Sequence, residues 1–358
     1  YQGDYLIETA KRLLAEHPEA KTMADQAQLE LCRDFAKNDI LKGIRKDLAD
    51  FDVDFVHFYS QKELGHSGKV ERTLEELKGT GSVFEEDGAV WFRSTAFGDD
   101  KDRVLVKSDK NYTYLTPDIA YHHEKFKRGY DELINIWGPD HHGYIARLKA
   151  TQQALGHDPK KIQILIAQLV TLYEGDRQVR MSTRAGEFVT LRQILDEVGR
   201  DAGRFFFLMR KFDAHLDFDL SLAKSQTPEN PVFYIQYAHA RIESIKNLFV
   251  EKTGRSYQEG AFNAESLSLL REPAEFKILR FLSLFEETVE AAARTLEPYR
   301  LVPYLMDVAS AFHRFYTDHR VVSEDRILTE ARMALIVGAQ HVLKTGLTLL
   351  GVSAPAKM

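Results

Sequence analysis

Leu133-Ile134-Asn135-Ile136-Trp137-Gly138-Pro139-Asp140-His141-His142-Gly143 is the stretch on which the reading of this 358-residue chain turns. Leu133 to Trp137 is a short apolar run of the kind that forms a buried strand. Gly138-Pro139 stops it, because proline has no amide hydrogen with which to extend a ladder. Tyr144 to Leu155 has helical character, and Ile162-Gln163-Ile164-Leu165-Ile166 reads as another strand. Strands alternating with helices predict a parallel, doubly wound sheet, whose ligands bind beyond the carboxyl ends of the strands. The loop after Trp137 sits at such an end.

Upstream, Leu6, Ala10, Leu13 and Leu14, then Leu41, Ile44 and Leu48, recur at helical spacing. Phe51, Val53 and Phe55 alternate with Asp52 and Asp54, which predicts a half-buried strand. Short β segments are expected at Val83-Phe84, Ala89 to Phe92 and Val104 to Val106, with Asp87-Gly88 as the turn between the first two. Downstream, Ser225-Gln226-Thr227-Pro228-Glu229-Asn230-Pro231 reads as a domain junction. Beyond it lie helical stripes: Ile278, Leu282, Phe285, Val289 and Leu296; Leu305, Val308, Phe312 and Tyr316; Met333, Ile336, Val337, Leu343, Leu347 and Leu350. The expected fold is therefore α/β, then all-α. Its domains are residues 1–228, with a connective β region near 50–112, and a helical bundle over 229–358.

The length suits two domains. Lys+Arg 48 against Asp+Glu 54 gives a net charge of −6, which argues against non-specific coating of nucleic acid but not against a local RNA face. From Ala331 to the end there is no acid, only Arg332, Lys344 and Lys357. A phosphate-bearing partner could approach that end, and a solvated helix face explains it nearly as well. The single Cys32 excludes an intramolecular disulfide and fits a reducing cytoplasm. No apolar run reaches the roughly 18 residues of a membrane span. Tyr1-Gln2-Gly3-Asp4 shows neither signal peptide nor initiator Met, so a piece of a longer cytoplasmic protein is expected.

Three segments carry candidate chemistry: Tyr114-Leu115-Thr116-Pro117-Asp118, then Gly138-Pro139-Asp140-His141, then Arg180-Met181-Ser182-Thr183-Arg184. A carboxylate such as Asp118 can accept paired hydrogen bonds from a guanidinium, and a phenol such as Tyr114 can orient it. The same two residues also read as a strand Tyr and a helix N-cap. Asp140, His141 and His142 could suggest a metal. Neighbours on a strand point to opposite faces, however, so no metal site is expected. Arg180 to Arg184 could neutralise phosphate charge or form an exposed hairpin loop.

In these segments, in this order and at similar intervals, the chain resembles bacterial arginyl-tRNA synthetases. The resemblance continues through Asn230-Pro231-Val232-Phe233-Tyr234-Ile235-Gln236-Tyr237-Ala238-His239-Ala240-Arg241 to the ending Leu350-Gly351-Val352-Ser353-Ala354-Pro355-Ala356-Lys357-Met358, covering essentially the whole chain. It implies that Tyr114 and Asp118 recognise arginine. It implies that Gly138, Asp140 and His141 hold the adenosine of ATP, with Gln168, Val170 and Met181 at the same nucleotide. Arg180-Met181-Ser182-Thr183-Arg184 occupies the place of the KMSKS loop, with Arg180 and Thr183 where the consensus has lysines. Tyr234, Tyr237, Tyr316 and Met358 match anticodon-contacting positions. From periodicity alone, Tyr316 is better read as a core residue, and Tyr234 and Tyr237 suit either role.

The implied activity is arginine–tRNA ligation by a monomer, with L-arginine, arginine tRNA and ATP with Mg²⁺. One motif of the class is missing: no HxGH segment occurs, and Leu64-Gly65-His66-Ser67-Gly68 does not substitute for it. The chain is therefore expected to be a fragment, inactive by itself. Two alternatives stand beside that reading. One is a non-catalytic tRNA-binding or regulatory fragment. The other is a different class I synthetase, such as the cysteinyl enzyme, against which the lone Cys32 and the lack of zinc-ligand spacing count.

Overall fold

The computed structural model describes residues 3–179, 189–257 and 264–358. These form two compact units, one of them inserted into the other. The outer unit comprises Tyr1–Asp54, Val170–Lys211 and Leu216–Met358; the central unit comprises Phe55–Leu169 and Phe212–His215.

The outer unit opens with helices α1 (Asp4–Glu16) and α2 (Asp25–Asp50). The strand expected at Phe51 to Phe55 does not form. Asp52 takes a left-handed φ of 61°, its N–H donates to Ala49 O at 2.9 Å, and Val53 N–H donates to Leu48 O at 2.9 Å. This pair of bonds closes the end of α2 as a Schellman turn. Alternation of Phe and Asp there reflects a helix stop, with the Phe51 ring edge-on to Phe207 at 6.1 Å.

The central unit begins with α3 (Gln61–His66) and α4 (Lys69–Gly79). An antiparallel sheet follows, in the order β1 (Val83–Glu86), β2 (Ala89–Phe92), β3 (Arg103–Val106). Asp87 and Gly88, at φ 50° and 73°, make the expected two-residue turn, and Glu86 pairs with Ala89 across it. Val90 and Phe92 point inward from β2 onto Leu77 and Leu105 and the helix α5 (Leu115–Lys127), which buries Leu115 and Ile119. Then come β4 (Leu133–Trp137), α6 (Ile145–Ala154) and β5 (Ile162–Ile166). β5 lies parallel to β4, with Leu133 opposite Ile162 and Trp137 opposite Ile166. Only one face of β4 is covered: Leu133 and Asn135 are buried, whereas Ile134 and Ile136 are 47% and 70% exposed.

The outer unit resumes with β6 (Val170–Glu174) and β7 (Arg177–Gln178), an antiparallel hairpin. The helix α7 (Leu191–Phe207) follows, opened by a Thr190/Gln193 capping box. β8 (Leu216–Asp219) pairs in parallel with β6. Next come α8 (Leu220–Lys224), α9 (Pro231–Thr253), α10 (Ala264–Leu267), α11 (Pro273–Ser283), α12 (Phe285–Thr295), α13 (Leu301–Asp318) and α14 (Arg326–Leu349). Leu305 and Phe312 of the second stripe and Ile336, Leu343 and Leu347 of the third are wholly buried with Ile235 in one apolar cluster. The first stripe is instead divided between α11 and α12, with Leu282, Phe285 and Val289 only partly buried. The junction segment is tightly held. Asn230 caps α9 through Val232 N–H and donates from Nδ2 to Ala223 O and Ser225 O. Arg332, one of the basic residues of the acid-free end, is turned inward, where Nε donates to the buried Glu275 at 2.7 Å.

Candidate functional site

Two threonines fix the start of α5 against β3: Thr113 Oγ1 donates to Val104 O at 2.9 Å and Thr116 Oγ1 to Leu105 O at 2.7 Å. Tyr114 is the N-cap residue of α5, not a strand residue, and is 89% exposed. Asp118 lies in the first turn and does not cap it. Its Oδ2 accepts a hydrogen bond from Tyr144 Oη at 3.0 Å. Burial raises the Asp118 carboxyl above the usual range, against the lowering effect of that bond. Burial beside Asp118 likewise pushes the Tyr144 phenol upward. Asp118 borders a cavity of about 250 Å³ with Tyr59, Gln61, Leu64, Pro117 and Tyr121. Tyr59 and Tyr121 sit with centroids 4.8 Å apart. A cation stands over each ring, Arg128 over Tyr59 at 5.0 Å and Lys125 over Tyr121 at 4.4 Å. Such a cavity, a carboxylate with aromatic walls, suits a cationic ligand of amino-acid size.

Under α5, Lys125 Nζ and His122 Nε2 converge on Asn135 Oδ1 of β4, at 2.7 and 3.1 Å. Burial lowers Lys125 to about 8 and His122 to about 4. His122 Nδ1 is 2.9 Å from the Asp118 carbonyl oxygen; the neutral imidazole has one N–H, so it donates either to that carbonyl or to Asn135 Oδ1, not to both.

Beyond β4, Gly138 leads into a 3₁₀ turn, Pro139–Tyr144. Asp140, His141 and His142 are exposed on that turn, so opposed strand faces do not govern where the histidines point. Gly138 has an ordinary extended backbone, φ −73°, and a Cβ there would meet only the movable end of the exposed Asp140 side chain. Ala167 N–H donates to Trp137 O at 2.8 Å, placing the carboxyl ends of β4 and β5 side by side, where open α/β sheets bind ligands. Gln168 follows, its N–H donating to Phe212 O at 2.8 Å. Val170 opens β6 in the outer unit. Arg180, Met181, Ser182, Thr183 and Arg184 lie outside the described residues.

In the bundle, Tyr234 and Tyr237 share α9, and Tyr237 is 42% exposed. His313 of α13 joins them, with its ring centroid 4.6 Å from Tyr234 and 5.7 Å from Tyr237. Tyr316 is only partly buried, at the rim of the core, with the Arg241 guanidinium 4.8 Å above its ring. The carboxyl-terminal tail is tied to α9: Gln236 Nε2 donates to Ser353 O at 2.9 Å, and His239 Nδ1 lies 2.9 Å from Pro355 O. Met358 is exposed at the end of that tail. Sequence reading missed Tyr144, Tyr59, Tyr121, His313 and Arg241. For His313 a signal existed, because it stands three residues before Tyr316 on one helix face.

Residues 22–207 match the family described as tRNA synthetases class I (R), catalytic domain, and residues 235–358 match the DALR anticodon binding domain. The chain belongs to the class I arginyl-tRNA synthetase family. Its fold is accordingly a class I synthetase catalytic architecture with a small parallel sheet, followed by a helical DALR domain. The arginine–tRNA ligases of Desulfosudis oleivorans and Anoxybacillus flavithermus are 46% identical over 359 residues and 48% over 360. This chain is covered completely in both comparisons and spans 64% of each relative. A crystal structure from Campylobacter jejuni, described as a candidate arginyl-tRNA synthetase, superposes with TM-score 0.87 at 31% identity, covering 100% of this chain and 76% of that one. The cysteinyl alternative is set aside by the family match. No helix among the described residues is long and apolar enough to cross a membrane.

Proposed function

We infer that the chain supplies the arginine pocket and the anticodon-reading part of an arginine–tRNA ligase. In that reaction the arginine carboxylate attacks the α-phosphorus of ATP, which enters as substrate with Mg²⁺. Pyrophosphate leaves, and the arginyl group then passes to the terminal ribose of the tRNA. No covalent enzyme intermediate is involved, so catalysis rests on orientation and on stabilising phosphate charge. Asp118 accepts the guanidinium, Tyr144 holds its Oδ2, and Tyr114 closes over the ligand. Gly138, Asp140, His141, Gln168 and Val170 hold the nucleotide. Arg180, Met181, Ser182, Thr183 and Arg184 offset the charge of the departing pyrophosphate. Tyr234, Tyr237, Tyr316 and Met358 read the anticodon by stacking on splayed bases. The catalytic part extends over 1–228 and the tRNA-reading part over 229–358, in a cytoplasmic monomer.

The observation that carries this reading is the Asp118 carboxylate at an amino-acid-sized, tyrosine-walled cavity in a chain of this family. Asp118→Asn in the full-length enzyme removes the charge opposite the guanidinium. A charge-assisted hydrogen bond is worth about 1.5–3 kcal/mol, so the KM for arginine should rise about 10- to 100-fold while the KM for ATP changes little. A KM for arginine within about twofold of wild type would falsify the assignment. A second reading, a tRNA-binding fragment without catalysis, is favoured by one observation, the lack of HxGH in the chain. Aminoacylation by the purified chain alone would exclude it.

A further inference from the structure

A further cavity, away from Asp118, lies at the far end of α9. It encloses about 740 Å³ and is lined by Lys252 and Arg255, by Arg320 and Arg326, with Phe249 and Val322 behind them and Glu324 at the edge. Four cations thus face one carboxylate on a chain whose net charge is −6. Arg255 and Arg326 share Glu330, the latter pair at 3.5 Å. Among the described residues neither Lys252 nor the Arg320 side chain has an ion-pair partner; only the Arg320 carbonyl is engaged, by Arg332 Nη1 at 2.8 Å. Among the described residues one ammonium and one guanidinium thus face the cavity without an ionic partner, and a planar guanidinium matches phosphate oxygens.

Placement on the helix says which anion. Tyr237, Arg241 and Lys252 fall within about 60° of one another round α9, and Lys252 lies about 22 Å further along it than Tyr237. One face of one helix therefore runs from the exposed tyrosine, past the arginine that covers Tyr316, to the basic cavity. A polymer laid along it would present bases at one end and backbone charge at the other. We propose that this cavity binds the sugar–phosphate backbone of tRNA outside the anticodon, anchoring the stem while the tyrosines read the loop. The proposal rests on the tRNA-binding reading above. Phosphate contacts of this kind position a nucleic acid without carrying sequence information.

The test is a fluorescence-anisotropy titration of the full chain with two arginine tRNA transcripts, one cognate and one with a substituted central anticodon base. It is run from about 50 to about 200 mM salt. Lys252→Ala/Arg320→Ala should weaken both transcripts by the same factor, on the order of tenfold at the lower salt, and make the log–log salt dependence shallower by about 1.5, since each phosphate contact contributes about 0.7–0.9. The preference for the cognate anticodon should survive. Arg320→Lys, which keeps the charge, should restore most of the slope, which a mere loss of folding would not allow. Tyr237→Ala should do the reverse, losing anticodon preference and keeping the slope. An unchanged slope in the double variant, with anticodon preference intact, overturns the backbone site and leaves the tRNA-binding reading standing. Failure of the wild-type chain to bind either transcript overturns both. Calorimetric binding of inorganic phosphate that the double variant abolishes, with tRNA binding unaltered, assigns the cavity to a free anion and also overturns the proposal.

Discussion

The two units differ in what they bury. From α7 onward the helices of the outer unit pack through one continuous apolar cluster, and the inward-facing Arg332 is paired with Glu275. The central unit has a smaller core and carries His122, His123, Asn135 and Gln152 inside it. Burial displaces Asp118, His122, Lys125 and Tyr144 from their ordinary ranges, all within one helix and the strand and turn beside it. Titratable groups held off balance by burial mark places where a protein does chemistry or binds charge. In the function proposed above, the bundle meets its ligand through surface rings and the central unit through the half-buried Asp118 carboxylate.

The sharpest way to probe the bundle is to open its core. Phe312→Ala removes a wholly buried ring and should cost about 3–5 kcal/mol, read as a lower urea midpoint in far-ultraviolet circular dichroism. A loss near 1 kcal/mol would mean that the bundle collapses around the gap and is looser than its packing implies.

The central unit should instead be sensitive to acid. His122 is lowered to about 4 from an ordinary 6.5. Between those values the unfolded chain binds a proton that the folded chain refuses, so stability falls as pH drops from 6.5 to 4. The loss is about 3 kcal/mol, reduced by Asp118, whose raised carboxyl runs the other way. Both tryptophans, Trp91 and Trp137, lie in this unit, so their fluorescence follows it selectively. His122→Gln should weaken the acid dependence without abolishing it, since burial also lowers His157, to about 4, and His123; an unchanged profile would leave the acid sensitivity to those two.

A smaller effect is expected at the end of α14. Gly351 has φ 68°, and a Cβ there would run into the Arg204 guanidinium. Gly351→Ala should cost about 1–2 kcal/mol from the left-handed backbone alone, measured by thermal unfolding. Smallest is Tyr144→Phe. It removes one hydrogen bond, about 1 kcal/mol, so the KM for arginine should rise about fivefold in the full-length enzyme. Because that bond holds the Asp118 carboxyl down, the acid limb of the arginine-binding profile should also move to higher pH. No movement of that limb would mean that Tyr144 packs beside Asp118 without tuning it.

Local chemistry was legible in the sequence, and distant contact was not. Asp87-Gly88 announced its turn, and Leu133 to Trp137 and Ile162 to Ile166 announced their strands, because each signal lies within a few residues. Phe51 to Phe55 misled, since alternating Phe and Asp looks the same in a strand and in a Schellman turn. The bond from Tyr144 to Asp118 spans 26 residues, and nothing in either segment points to the other. The basic cavity escaped for the same reason, since Lys252 lies in the last turn of α9 and Arg320 just beyond α13. The acid-free end drew attention to Arg332, which is spent inside the fold.

Arg204 gives the chain an order of assembly. Its Nη1 donates to Phe51 O at 2.8 Å and Asp52 O at 2.9 Å, and its Nε to Leu350 O at 3.2 Å. One side chain in the middle of the sequence thus caps two helices, α2 near the beginning and α14 near the end. On a ribosome the central unit is complete once His215 has emerged. The end of α2 can be held as soon as α7 is made, through Arg204 and through Arg192 on Asp47. The end of α14 joins the same guanidinium only after Leu350 has been synthesised, and contacts closed across such long stretches are slow to form.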